Sequence, residues 1–84
     1  MLEHEVTITN ATGLHAHASA KLVQVISAFK SQVTLLGKGR EVNAKSIMGV
    51  MLLAAGPGTV LKVKIDGDDE HDALKVLQQF FAEM

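Results

Sequence analysis

Eighty-four residues are enough for one small domain with a modest core, expected to span 1–84, but not for a second lobe that closes over a substrate, so any chemistry must be exposed or shared with a partner. Lys plus Arg number 8 against 9 Asp plus Glu, no basic run stands out, and neither tryptophan nor tyrosine is available for base stacking, which argues against nucleic acid. The chain has no cysteine, which excludes a disulfide frame and fits a cytoplasmic setting; the acidic start Met1–Glu5 is unlike a signal peptide, and the longest apolar run, Ile47–Ala55, is too short to enter and span a membrane.

Leu2, His4, Val6 and Ile8 alternate with Glu3, Glu5, Thr7 and Thr9, the period of a strand with one buried and one wet face. Thr12-Gly13 then makes a turn, and from Ala16 to Phe29 the residues Leu22, Val23, Ile26 and Phe29 recur at helical spacing. Val33 and Leu35 alternate with Gln32 and Thr34, and Gly37-Lys38-Gly39 supplies a hairpin turn before Arg40–Asn43. Ser46 is placed to cap a short, unusually apolar helix beginning at Ile47, which should end before the loop Gly56-Pro57-Gly58. Thr59 to Ile65 alternates again, and Asp66-Gly67 turns the chain. Asp68, Asp69, Glu70 and Asp72 load the start of a last helix whose buried stripe is Ala73, Leu74, Leu77, Phe80 and Phe81. The order is β-α-β-β-α-β-α. Strands wet on one face and helices apolar on one stripe are both satisfied by an α+β open-faced sandwich, a four-stranded antiparallel sheet with three helices on one face.

Within this frame His15 falls at a helix N-terminus. The first N–H groups of a helix lack internal partners and the macrodipole adds about half a positive charge there, so the position attracts a phosphate or another anion. A neutral imidazole is a nucleophile near neutral pH, and one placed here can take a phosphoryl group and have its charge stabilised in place. A histidine at a helix start also serves as a plain capping or surface residue. A metal site at His15-x-His17 offers two ligands where a bound zinc needs more, so neither metal nor cofactor is expected.

Two segments, Thr12-Gly13-Leu14-His15-Ala16 and, thirty residues on, Val42-Asn43-Ala44-Lys45-Ser46-Ile47-Met48-Gly49-Val50-Met51, resemble the histidine-containing phosphocarrier protein (HPr) family of the phosphoenolpyruvate-dependent sugar phosphotransferase system, and the match extends over essentially the whole chain. The resemblance implies a stoichiometric relay, not a stand-alone enzyme: the matching His15 takes a phosphoryl group on Nδ1 from phosphorylated Enzyme I and passes it to the IIA domain of a sugar permease. It implies phosphate contacts at Thr12, Ala16 and His17 and a partner surface including Ala20, Lys21, Gln24, Ile47, Met48 and Met51. Ser46 matches a regulatory serine of Gram-positive members, which implies a serine kinase/phosphorylase and a transcriptional regulator as further partners. One departure stands beside the phosphoacceptor: the family has Arg-Pro after His-Ala, whereas this chain has His17-Ala18. Imidazole is a doubtful substitute for a guanidinium that is always charged and offers a fork of donors. The alternative reading is an HPr-like regulatory binding protein with impaired histidine transfer, acting through Ser46 and its apolar patch.

Overall fold

A strand with one apolar face and a helix with one apolar stripe bury both by stacking, and the computed structural model, which describes residues 1–9 and 13–83, does this. Among the described residues the order is β1 (Leu2–Thr7), α1 (Ala16–Ile26), β2 (Gln32–Gly37), β3 (Arg40–Asn43), α2 (Ile47–Leu52), β4 (Val60–Asp66) and α3 (Glu70–Ala82). The strands form one sheet in the order β1-β4-β2-β3, with every neighbouring pair antiparallel. The helices cover one face, so the expected open-faced sandwich is what forms. Val33, Leu35, Leu61, Val63 and Ile65 point from the sheet into the core, where they meet Leu22 and Ile26 of α1, Val50 of α2, and Ala73, Leu77 and Phe81 of α3. The other face stays wet: Glu3 and Glu5 stand opposite Lys64 and Lys62 in the β1–β4 register.

The β2–β3 hairpin turns on Lys38 and Gly39, both with positive φ (52° and 75°), as a tight two-residue turn between twisted strands requires. Several ends differ from the periodicity. The strand predicted to reach Thr9 stops at Thr7, although Ile8 remains buried and exchanges hydrogen bonds with Thr59 and Gly58. The first helix was expected to run to Phe29 but ends at Ile26. There the Ser27 hydroxyl donates back to the Val23 carbonyl (2.6 Å) and the Phe29 N–H bonds to Ile26 in a tighter turn. Phe29 still packs on the core, which is why the apolar spacing ran past the helix. The fourth strand lies one residue later than its alternation, at Val60–Asp66.

The second helix stops at Leu52, and the chain reverses at Ala54, whose φ of 50° is left-handed. That position is usually glycine, yet neither Gly56 nor Gly58 is used to end the helix. The last helix shows the opposite economy of side chains. Asp69 sits at its N-cap position but makes no cap bond, because its carboxylate accepts the N–H groups of Lys30 (2.8 Å) and Ser31 (2.9 Å) and the Ser31 hydroxyl. Asp69 thus clamps the α1–β2 connection onto the start of α3. The Ser31 hydroxyl first, and the Lys30 amide next, hold its pKa down to about 2.

Replacing Ala54 with glycine removes the left-handed penalty and should stabilise the fold by about 1 kcal/mol, read as a higher urea midpoint at constant slope. Asp69 ionises at lower pH when folded than when unfolded. Its stabilising contribution is therefore complete above about pH 4 and is lost as pH falls through about 2. Denaturation curves collected across this window should show that acid loss, and Asp69→Asn should reduce it.

Candidate functional site

The entry to α1 is built from inside to outside. Gly13 has φ of 68° and lies so close to the end of the α2 loop that an added Cβ would collide with the Ala55 carbonyl and Gly56 Cα. Leu14 is buried, and its N–H donates to the Ala55 carbonyl at 2.8 Å. Past His15, the Ser19 N–H closes the first helical bond onto the His15 carbonyl (2.8 Å), and the buried Ser19 hydroxyl approaches the Leu14 carbonyl at 3.4 Å. The backbone on both sides of His15 is therefore fixed, while the residue itself is exposed.

His15 is the N-cap of α1, with extended backbone (φ −92°, ψ −171°), and its Nδ1 accepts the His17 N–H at 3.4 Å. An acceptor at Nδ1 leaves the proton of a neutral ring on Nε2, so the nitrogen with the free lone pair is the one facing the first-turn amides. The contact is long, at the limit of a useful hydrogen bond, and orients the ring without tying up its lone pair strongly. The first turn of α1 carries no acidic residue, so no carboxylate of its own offsets the positive end of the helix. His15, Ala16, Met51, Ala54 and Ala55 line an open depression of about 300 Å³.

The structure distributes the remaining sequence-predicted residues over three places. Ala16 and the His17 backbone lie at His15. Residue 17 as a whole also lines a neighbouring groove of about 350 Å³ between α1 and α3, with Lys21, Val25, Val76, Phe80 and Glu83. Thr12 lies outside the described residues. Ala20, Lys21 and Gln24 are exposed on α1. On α2, Ile47, Met48 and Met51 are 43, 68 and 41% exposed, and Leu52, at 58%, joins them. Leu52 was not among the residues expected on this surface; its spacing of four from Met48 on a helix is the sequence signal that places it there.

Ser46 caps α2: its Oγ accepts the Gly49 N–H at 3.1 Å. The residues before it each have a structural task. Asn43 accepts the Lys45 N–H on Oδ1 (2.9 Å), buried Ala44 donates its N–H to Val33 (2.9 Å), and Lys45 reaches the Phe29 carbonyl with Nζ at 2.7 Å. The motif thus ties the start of α2 to the segment that follows α1.

With this geometry in hand, comparison with known proteins is specific. The family model described as the PTS HPr component phosphorylation site matches residues 2–83. The chain belongs to the HPr family. It is 67% identical over 81 residues to phosphocarrier protein HPr of Xylella fastidiosa, a match covering 96% of this chain and 91% of that protein. Identity to phosphocarrier protein HPr of Cupriavidus necator is 51% over 82 residues, covering 98% and 92% of the two chains. A crystal structure of HPr from Thermoanaerobacter tengcongensis superposes with a TM-score of 0.93 at 44% identity, covering 98% of this chain and 92% of that one. Membership of the HPr family supports a phosphocarrier role in the phosphotransferase system.

Among the described residues no three His, Cys, Asp or Glu side chains converge to hold a metal ion, and no helix is long and apolar enough to cross a membrane. The candidate site is a surface constellation, and the backbone on either side of His15 is held by the seam below it. Gly13→Ala combines left-handed strain with a collision at Ala55 and should cost about 2 kcal/mol or more, measured as a fall in the urea midpoint.

Proposed function

We propose that His15 accepts a phosphoryl group on Nδ1 from phosphorylated Enzyme I and hands it to the IIA domain of a sugar permease, with the chain acting as one HPr-like domain over residues 1–84. The observation that carries this reading is the exposed imidazole at the α1 N-cap, with Nδ1 directed at the His17 N–H. In the transfer the Nδ1 lone pair attacks phosphorus as the donor's N–P bond breaks. The phosphoryl oxygens then meet first-turn amides that have no intrahelical partner, replacing a long neutral contact with charge-assisted hydrogen bonds. Because such bonds form in water at an open site, they hold the group without trapping it, as a carrier requires.

His17 is a weaker anion ligand than the arginine it replaces; its backbone N–H meets Nδ1 of His15, and its side chain borders the α1–α3 groove, from which a longer arginine can reach back to the phosphate. Docking is assigned to Ala20, Lys21 and Gln24 together with Ile47, Met48, Met51 and Leu52, because exposed methionines on a short helix suit several partners. Ser46 is the proposed regulatory serine. A phosphate there would add charge beside this docking surface at a cap that a helix N-terminus tolerates, with a serine kinase/phosphorylase and a transcriptional regulator as the partners concerned. These exchanges belong to the cytoplasm. The reading in which histidine transfer is impaired and only Ser46 and the patch act is not favoured, since His15 keeps its exposure and its amide contact.

Incubation with phosphoenolpyruvate and Enzyme I, followed by intact mass measurement, should show one added phosphate that mild acid removes, and His15→Ala should abolish it. No gain in the unmodified chain would end the carrier proposal. Restoring the family arginine with His17→Arg should raise the transfer rate by about one to two powers of ten, the value of one charge-assisted hydrogen bond acting in the transition state. A rate no different from that of the unmodified chain would remove residue 17 from the phosphate site.

A further inference from the structure

The end of α2 is held from outside the helix. No basic residue occupies its last turn, and two cations from the β2–β3 hairpin arrive instead: Arg40 Nη1 donates to the Leu52 carbonyl at 3.2 Å, and Lys38 Nζ donates to the Ala54 carbonyl at 2.9 Å. Lys38 is itself fixed as the first turn residue of the hairpin, with φ of 52°. The carbonyl it holds belongs to the strained residue, since Ala54 has φ of 50°. The next carbonyl along the chain, Ala55, receives the Leu14 N–H at 2.8 Å, and Leu14 precedes His15. Ala54, Ala55 and His15 line the same depression.

An alanine in a left-handed conformation gains by relaxing, and the relaxation available to it rotates the peptide group that joins residues 54 and 55. Lys38 holds the oxygen of that peptide group. Loosening it redirects the Ala55 carbonyl and so the anchor beneath the imidazole. We infer that Lys38 is a positioning residue for His15, acting through the Ala54–Ala55 turn and the Leu14 N–H, with Arg40 bracing the same helix end. The inference deepens the carrier reading and rests on it for the choice of His15 as the reacting group. The mechanical link is testable on its own.

The test compares the unmodified chain with Lys38→Met, which keeps the stem and removes the donors, and Lys38→Arg, which keeps a cationic donor. Amide hydrogen exchange is followed at Leu14, bonded to Ala55, and at Ile8, bonded to Thr59, which serves as the internal reference. Phosphohistidine formation with phosphoenolpyruvate and Enzyme I is timed in the same samples. In Lys38→Met, the Leu14 amide should exchange roughly three- to tenfold faster relative to Ile8, and phosphorylation should slow by a similar factor. Lys38→Arg should restore both. A lysine that merely stabilises the fold would speed both amides together, and an unchanged Leu14-to-Ile8 ratio overturns the inference. Should Lys38→Met fold poorly, the same ratio is read in Lys38→Gln, which keeps a polar side chain without the cation: a raised ratio supports the inference and an unchanged one overturns it. If the unmodified chain accepts no phosphate, the carrier reading falls, while the exchange ratio still decides the positioning role.

Discussion

The hydrogen bond from the Leu14 N–H to the Ala55 carbonyl, 2.8 Å long, joins the start of α1 to the chain leaving α2, and the site is arranged around it. Two segments about forty residues apart in the chain approach so closely at this seam that Gly13 has no room for a side chain. The contact solves a problem common to small domains with exposed chemistry. A reactive ring must stand in water, where it has few neighbours to orient it, so its orientation has to come from the backbone. Burying Leu14 and Ser19 on either side of His15 supplies that orientation, and the ring itself stays outside.

The three helix starts show how one kind of boundary is used for different ends. Ser46 closes the α2 terminus with an ordinary hydroxyl cap at 3.1 Å. Asp69 leaves the α3 terminus without a side-chain cap and spends its carboxylate on Lys30 and Ser31, joining parts of the chain almost forty residues apart. His15 caps α1 weakly, at 3.4 Å, with a base in place of a hydroxyl or carboxylate. A strong cap would satisfy the amides of that turn and leave little to attract an incoming anion. The looser of the two side-chain caps is thus the one suited to exchange.

The strand alternation, the apolar stripes of the helices, the hairpin at Lys38-Gly39 and the capping roles of His15 and Ser46 were legible because each follows from neighbours within a few residues. Binary patterning of this kind decides which face is buried, and hence the layer arrangement. The ends of elements were less legible. Phe29 continues the helical spacing of α1 because it reaches the core, yet the helix has already ended. Ala54 takes the left-handed position although glycines stand two and four residues later, because the approach of Leu14 and Lys38 fixes where the chain must turn. Asp69 reads in the sequence only as part of the acidic start of the last helix, and its partners at Lys30 and Ser31 are invisible to any local window. In the site, the sequence offers His17 as a doubtful substitute ligand because it occupies the family's arginine position. Its place along the α1–α3 groove emerges only when α3 is packed against α1.

If His15 carries the phosphoryl group as proposed, its exposure has a temporal consequence. A group held in an open depression keeps its contact with solvent until another macromolecule covers it, so the lifetime of the loaded state is governed by a race between encounter and hydrolysis. Partner abundance and docking speed then decide how much of the cargo arrives. On the proposed docking role, the exposed apolar residues of α2 beside the depression, with Met51 on its wall, would shorten that wait by holding the first collision next to the ring.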